Sequence, residues 1–242
     1  MLTNASFLEK ILDSFKSFVS IGTSRSTAKL KPLHGAIALD LAERLGEEYV
    51  IKSQGYGDDR ETSISGRYVN KMVDITILDK NRNLPVAGIA VKFVMQNYSQ
   101  NSNNYFENML GETANIRTAN CPYFQIFIIL DKLPYYKRTG EISRWEEFTD
   151  HNIEKYVRLS HDNVDAFFHT PNKTLIYVVH ILPETNEKMI DTKTEYLEHY
   201  TLNPPSIKLT SHNYPTIKEN GSVIINDYES FIKKVYHTIC SI

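Results

Sequence analysis

The sequence predicts an α/β fold in which a mixed central β-sheet is flanked by helices. Near-continuous apolar runs, such as residues 124–130, suit strands that are covered on both faces. Stretches with helical apolar spacing lie before, between and after these runs. The order helix, strand, hairpin, helix, strand, helix, strand favours a sheet with both parallel and antiparallel neighbours. A chain of 242 residues can bury one large core, and we expect a single domain over residues 1–242.

Periodicity and turn residues predict the elements in chain order. A capping box at residues 6–9 opens a first helix, and a second helix over residues 33–45 ends at Gly46. Strands are expected over residues 49–53, 68–78, 86–95, 124–130 and 174–182, helices over residues 105–117, 143–159 and 187–200, and a short strand with a closing helix over residues 217–242.

Composition excludes several classes of protein. The net charge is −2, so no basic tail indicates nucleic acid, although a local basic cleft is compatible with that total. Cys121 and Cys240 have no Cys or His neighbours, which argues against a zinc site or a disulfide framework. No run of about 18 apolar residues and no signal-peptide core occur, so we expect a cytoplasmic protein without membrane contact. Serine-hydrolase, P-loop and dinucleotide-binding motifs are absent from the sequence.

Two charged residues stand in predicted strands that are otherwise apolar. Asp74 precedes the apolar run at residues 75–78, and Lys92 lies within residues 86–95. A charge in such a strand is costly to bury unless it has a partner. A hairpin would bring both to one edge, where a carboxylate can hold a divalent cation and an ammonium can stabilise charge on a phosphate. The alternative is a salt bridge at the sheet margin, which would contribute little.

Side chains on the flanking helices could complete a metal shell. Glu43 lies on the second predicted helix, and Glu107 and Glu112 lie on the third. His34 stands near the start of the second helix, where it could contact a phosphate, or could instead cap or pack.

An amide-rich run follows Lys92, and amide side chains can contact adenine edges and phosphates. The alternative is a polar loop in which Ser102 or Asn104 caps the third helix. A basic arm at Arg25, Lys29 and Lys31 could instead be an exposed mixed loop. The candidate DNA contacts are Gln96, Asn97, Tyr98, Gln100, Asn101, Asn103, Asn104, Arg67 and Lys71.

Val73-Asp74, a spacer and Ile89-Ala90-Val91-Lys92 together resemble the PD-(D/E)xK superfamily of type II restriction endonucleases and related nucleases. The resemblance covers about residues 33–130. It implies that Asp74, position 90 and the backbone of Val91 bind Mg²⁺. It also implies that Lys92 positions the attacking water or stabilises the transition state, with Glu43 as an accessory acid. Residues 131–242 would then serve dimerisation or DNA readout.

Ala90 departs from the family pattern, which has an acidic residue two positions before the lysine. Three explanations stay open. In the first, the acid comes from the next helix, where Glu107 lies one loop beyond Lys92 and Glu112 lies further along. In the second, a natural glutamate has been removed by design to trap an uncleaved complex. In the third, the protein is a catalytically inactive relative that only binds.

The resemblance implies a Mg²⁺-dependent endonuclease of restriction type acting on double-stranded DNA. A homodimer is expected, because two active sites are needed to cut both strands of a symmetric site. A repair or junction-resolving nuclease is the alternative enzyme, and a nuclease-like DNA-binding or scaffold protein is the non-catalytic alternative.

Overall fold

The computed structural model describes residues 1–22, 27–185 and 189–242. Its architecture is mixed α/β, with a central mixed sheet flanked by helices, as the sequence predicts. The helices are α1 (Asn4–Ile21), α2 (Lys31–Leu45), α3 (Tyr98–Arg117), α4 (Asp150–Ser160), α5 (Lys193–Leu202) and α6 (Tyr228–Cys240). The strands are β1 (Tyr49–Ser53), β2 (Thr62–Ser65), β3 (Asn70–Val73), β4 (Ile75–Asp79), β5 (Leu84–Val94), β6 (Tyr123–Leu130), β7 (Lys132–Tyr136), β8 (Ile142–Glu147), β9 (Lys173–Leu182), β10 (Ser206–Leu209) and β11 (Val223–Ile225).

The main sheet has the order β1-β4-β5-β6-β9-β10, with β11 also pairing with β9. Strands β5, β6 and β9 are parallel, and β1, β4 and β5 are antiparallel. Every residue of β6 is buried, because β6 lies at the centre of the sheet with helices over it. The all-apolar run therefore forms the central strand that the sequence indicates.

The C-terminal third completes this sheet. Strand β9 pairs with β6, and β10 and β11 then extend the sheet on the far side of β9. The predicted core at residues 33–130 and the region after it therefore share one sheet and one apolar core. Among the described helices, none has the length and apolar character needed to cross a membrane.

Several predicted boundaries were wrong. The strand over residues 68–78 is two strands in different sheets, since the chain bends at Asp74. The helix over residues 143–159 is shortened to α4, because residues 142–147 pair with β7. The capping box lies at Thr3 and Ser6, one turn earlier than predicted. Arg25 and residues 187–188 lie outside the described residues. The helix predicted over residues 187–200 begins only at Lys193, because residues 189–192 are not helical.

Helix α3 also begins earlier than predicted, at Tyr98 instead of residue 105. Asn97 is its N-cap residue and adopts the left-handed backbone conformation, with φ of 52°. Most of the amide-rich run is therefore helix and not loop. Asn tolerates this conformation better than most residues, which explains why a helix can start at this point.

Candidate active site

Asp74 lies where the chain passes from a small sheet into the main sheet. Val73 pairs with Thr62 in the β2–β3 ribbon, whereas Ile75 pairs with Ile89 in β5. The buried Ser53 hydroxyl donates a hydrogen bond to the Asp74 carbonyl oxygen at 2.8 Å. This change of sheet fixes the backbone of Asp74 beside the middle of β5.

The hairpin of β4 and β5 places Asp74 and Lys92 at one cleft of about 370 Å³. The Val91 N–H donates to Asp74 Oδ2 at 2.7 Å, which orients the carboxylate. Ala90 and Lys92 are two residues apart in one strand and therefore share the face that lines the cleft. Asp74 and Lys92 form no ion pair with each other, so the structure does not support the alternative of a structural salt bridge.

Lys92 is a cation at the cleft, above the Tyr105 ring. Its Nζ lies 4.7 Å from the ring centroid, within the range of a cation–π interaction. Partial burial lowers the pKa of Lys92, while the carboxylates of Asp74 and Glu112 oppose that shift. Lys29 lines the same cleft, and burial, helped by the charges of Lys92 and Lys193, lowers the pKa of Lys29 to about 8.

The three predicted accessory acids lie in different places. Glu112 lines the cleft and forms an ion pair with Lys71. Glu107 is exposed and is not among the cleft residues. Glu43 pairs instead with the amino group of Met1 at 2.6 Å, so α2 does not present this residue to Asp74.

Ala90 borders a wall of polar groups on β6. Gln125 pairs with Ala90 in the parallel ladder and also lines the cleft. Within the described chain, Gln125 Nε2 has no hydrogen-bond partner, and the Tyr123 hydroxyl lies close to the Glu112 carboxylate. Burial, with the charges of Glu112 and Asp74, raises the pKa of Tyr123 well above its usual value, so this hydroxyl stays protonated.

His34 and Glu61 approach Asp74 from another side. One possible ligand atom from each of the three side chains lies within 4.8 Å of the others. Burial lowers the pKa of His34, with a smaller opposing effect from Asp74. Burial raises the pKa of Glu61, and the Asp74 carboxylate raises it further. Sequence reasoning gave His34 only a phosphate, capping or packing role and missed Glu61.

A close contact between backbones brings His34 and Glu61 together. A Cβ atom on Gly35 would lie 2.2 Å from the Gly55 carbonyl oxygen, so only glycine fits there. Gly55 has φ of +76°, and a Cβ atom on it would lie 2.2 Å from the Lys31 carbonyl oxygen. The loop after β1 therefore packs directly on the first turn of α2. The signal available in the sequence was a pair of glycines, Gly35 within a predicted helix and Gly55 just after a predicted strand, which permit such a close backbone contact.

The amide-rich run divides into structural and accessible residues. Tyr98 is buried against Phe127 and Phe148, which corrects its prediction as a DNA contact. The Asn97 side chain donates to and accepts from the backbone of Tyr136 in β7, at 3.0 Å for each bond.

A second groove of about 380 Å³ shares Lys29, Lys92, Phe93 and Tyr105 with the cleft. The amide residues that line this groove are Gln96, Asn97, Gln100 and Asn101. Asn103 lines a different pocket beside α4, and Asn104 is exposed.

Arg67 and Lys71 lie on the ribbon of β2 and β3, at one side of the cleft. The side chain of Asn115 holds the tip of the ribbon by accepting from the Tyr68 and Val69 N–H groups and donating to the Val69 carbonyl. Arg67 and Tyr68 are exposed, and Lys71 is half-buried by its ion pair with Glu112. The ribbon thus presents positive and aromatic groups next to the cleft.

No family model matches this chain, and no curated protein or solved structure is significantly similar to it.

Proposed function

We propose that this protein is a metal-dependent endonuclease that hydrolyses phosphodiester bonds in double-stranded DNA. The observation that supports it most is the meeting of Asp74, Lys92 and Glu112 at one cleft. Carboxylates for a divalent cation beside a lysine for the phosphate are the groups that such hydrolysis requires. A sequence-specific enzyme of restriction type acting as a homodimer is the form of this proposal that the resemblance favours.

The side chains have separate roles in this proposal. Asp74 and Glu61 would hold the cation, which activates a water molecule and polarises the phosphate when bound. Lys92 binds a phosphate oxygen and stabilises the charge that develops there, with Lys29 adding positive potential behind it. Gln100 and Asn101, in the adjoining groove, would contact the nucleic acid beyond the phosphate that is cut.

The position of Glu112 supports one of the three explanations for Ala90. Glu112 and Ala90 line the same cleft, whereas Glu107 does not reach it. We therefore propose that α3 supplies the missing acid through Glu112. The other two explanations for Ala90 are that a natural glutamate was removed and that the protein only binds DNA. The experiment below distinguishes them from a role of Glu112.

Cleavage of plasmid and genomic DNA with Mg²⁺ or Mn²⁺ tests the function. We expect wild-type protein to cut, Asp74→Asn and Lys92→Met to be inactive, and the exposed Lys80→Met to match wild type. Discrete fragments would identify a restriction enzyme, and preference for branched DNA a junction nuclease. DNA retention without cutting, in wild type and in Ala90→Glu, would overturn the proposal and indicate a DNA-binding protein.

A further inference from the structure

His34 is a buried polar side chain without a polar partner in the described part of the chain. Only 2% of its surface is exposed, and neither Nδ1 nor Nε2 has a hydrogen-bond partner among the residues described. An unpaired buried polar group costs about 1 to 3 kcal/mol, and most such groups are therefore paired. An imidazole with both nitrogens unpaired at this depth indicates that it binds something else.

The His34 ring lies beside two carboxylates. Its ligand atom and those of Glu61 and Asp74 are all within 4.8 Å of one another. Around one cation with bonds of about 2.1 Å, neighbouring ligand atoms lie roughly 3 to 4 Å apart. Small side-chain rotations would therefore bring all three to one ion. Two carboxylates at this separation repel each other, and a cation between them removes that repulsion.

The backbone holds the three residues before any ion binds. His34 is fixed by the contact of Gly35 with Gly55, and Asp74 by its hydrogen bonds with Val91 and Ser53. Glu61 comes directly before β2, which pairs with the strand that ends next to Asp74. Because the ligands come from three fixed segments, little conformational entropy is lost when they meet at an ion.

We propose that His34, Glu61 and Asp74 bind one first-row transition-metal dication, represented by Mn²⁺, in preference to Mg²⁺. The inference rests on the proposed function, since this would be the cation that hydrolysis uses. Mg²⁺ selects oxygen ligands and gives up water reluctantly, whereas imidazole nitrogen suits first-row transition metals. Mn²⁺ accepts both carboxylate and imidazole, so a site with one nitrogen and two oxygens favours it over Mg²⁺.

Electron paramagnetic resonance of free Mn²⁺, titrated with protein in the absence of DNA, tests the site. We expect His34→Asn and Glu61→Gln each to weaken Mn²⁺ binding at least about tenfold. In wild type, an equal concentration of Mg²⁺ should leave most Mn²⁺ bound. The matched control is His212→Asn, which removes an exposed imidazole paired with Asp150 at 2.7 Å, and it should bind Mn²⁺ as wild type does.

Thermal unfolding separates loss of a ligand from loss of the fold. In chelator, His34→Asn and Glu61→Gln should unfold within a few degrees of wild type. A Mn²⁺ concentration that raises the Tm of wild type and of His212→Asn should raise the Tm of these two variants by less. If His34→Asn does not fold, the half-buried Glu61→Gln decides the result. Wild-type Mn²⁺ affinity in a folded His34→Asn or Glu61→Gln, or displacement of Mn²⁺ by equal Mg²⁺, would overturn the inference.

Cleavage assays keep this inference distinct from the proposed function. Selective Mn²⁺ binding that depends on His34, in a protein that cuts no DNA, would uphold the metal site and refute the nuclease. DNA cleavage that is equal with Mg²⁺ and Mn²⁺ and unchanged in His34→Asn would uphold the nuclease and refute the role of His34.

Discussion

The carboxylate of Asp74 is held by the backbone N–H of Val91, with 2.7 Å between Oδ2 and N. This bond joins the start of β4 to the middle of β5 and turns the carboxylate toward the cleft. Its charge lies close to Glu61, whose pKa is raised by burial and then by Asp74. The site therefore contains a positioned carboxylate with a second acid close to it, an arrangement that a bound cation would stabilise.

This arrangement predicts that Asp74→Asn separates stability from activity. The asparagine oxygen can still accept from Val91, and the repulsion with Glu61 is lost. In chelator the variant should therefore unfold at the wild-type Tm or above it. Cation affinity and DNA cleavage should fall by at least about 100-fold, because a neutral amide is a poor metal ligand.

Asp74→Ala is the matched comparison. It leaves the Val91 N–H without its acceptor and should cost about 1 kcal/mol in free energy of unfolding. Urea unfolding of both variants measures the difference. An Asp74→Asn protein that is less stable than Asp74→Ala would contradict this account of the site.

Local patterns were sufficient to predict the central strand, the β4–β5 hairpin and the two charged residues that this hairpin brings to one cleft. The fully buried β6 and the β4–β5 hairpin were predicted because apolar runs and turn residues are local signals. Asp74 and Lys92 were identified because charges in apolar strands stand out. The start of α3 was not predicted, since it depends on Asn97 binding the backbone of β7, which lies about forty residues away.

The cluster around Asp74 could not be predicted from motif spacing. His34 and Glu61 are 27 residues apart in sequence, and they meet near the point where two glycines let α2 and a loop touch. The sequence offered Glu43 as the acid from α2, but the structure pairs it with Met1. Helix α2 instead presents His34, about two and a half turns earlier, to the site.

Glu112→Gln tests the origin of the missing acid. If α3 supplies it, this variant should lose about 100-fold or more in cleavage, and Glu107→Gln, on the same helix but exposed, should stay near wild type. Glu112→Gln/Ala90→Glu should recover part of the activity, because position 90 lines the same cleft. Loss of activity in Glu107→Gln alone would contradict the assignment to Glu112.

Two glycine-to-alanine substitutions in helices should have opposite effects. Gly35→Ala places a Cβ atom against backbone atoms of Gly55 and should destabilise the protein by about 2 kcal/mol or more. Gly111→Ala in α3 meets nothing within 4 Å and should stabilise by about 0.5 to 1 kcal/mol through helix propensity. Urea unfolding compares them, and Gly35→Ala should also weaken Mn²⁺ binding by displacing His34. Equal stability of the two variants would exclude the close contact.

The lowered pKa of the buried Lys29 predicts how the stability of the protein depends on pH. Its pKa is about 8 in the folded protein and near 10.5 when unfolded, because burial disfavours the charge. Between these pH values the unfolded chain binds a proton that the folded chain has released, so stability should rise with pH across that interval. Below pH 8 the cost of burying the ammonium is present in full.

Lys29→Met should therefore be more stable than wild type at pH 7. We expect a gain of about 1 to 2 kcal/mol in the free energy of unfolding, because solvent in the cleft screens part of the buried charge. The advantage should shrink toward pH 10, as measured by urea unfolding from pH 7 to pH 10. Lys80→Met, on an exposed turn, should show no such trend, and a pH-independent effect of Lys29→Met would refute the shift.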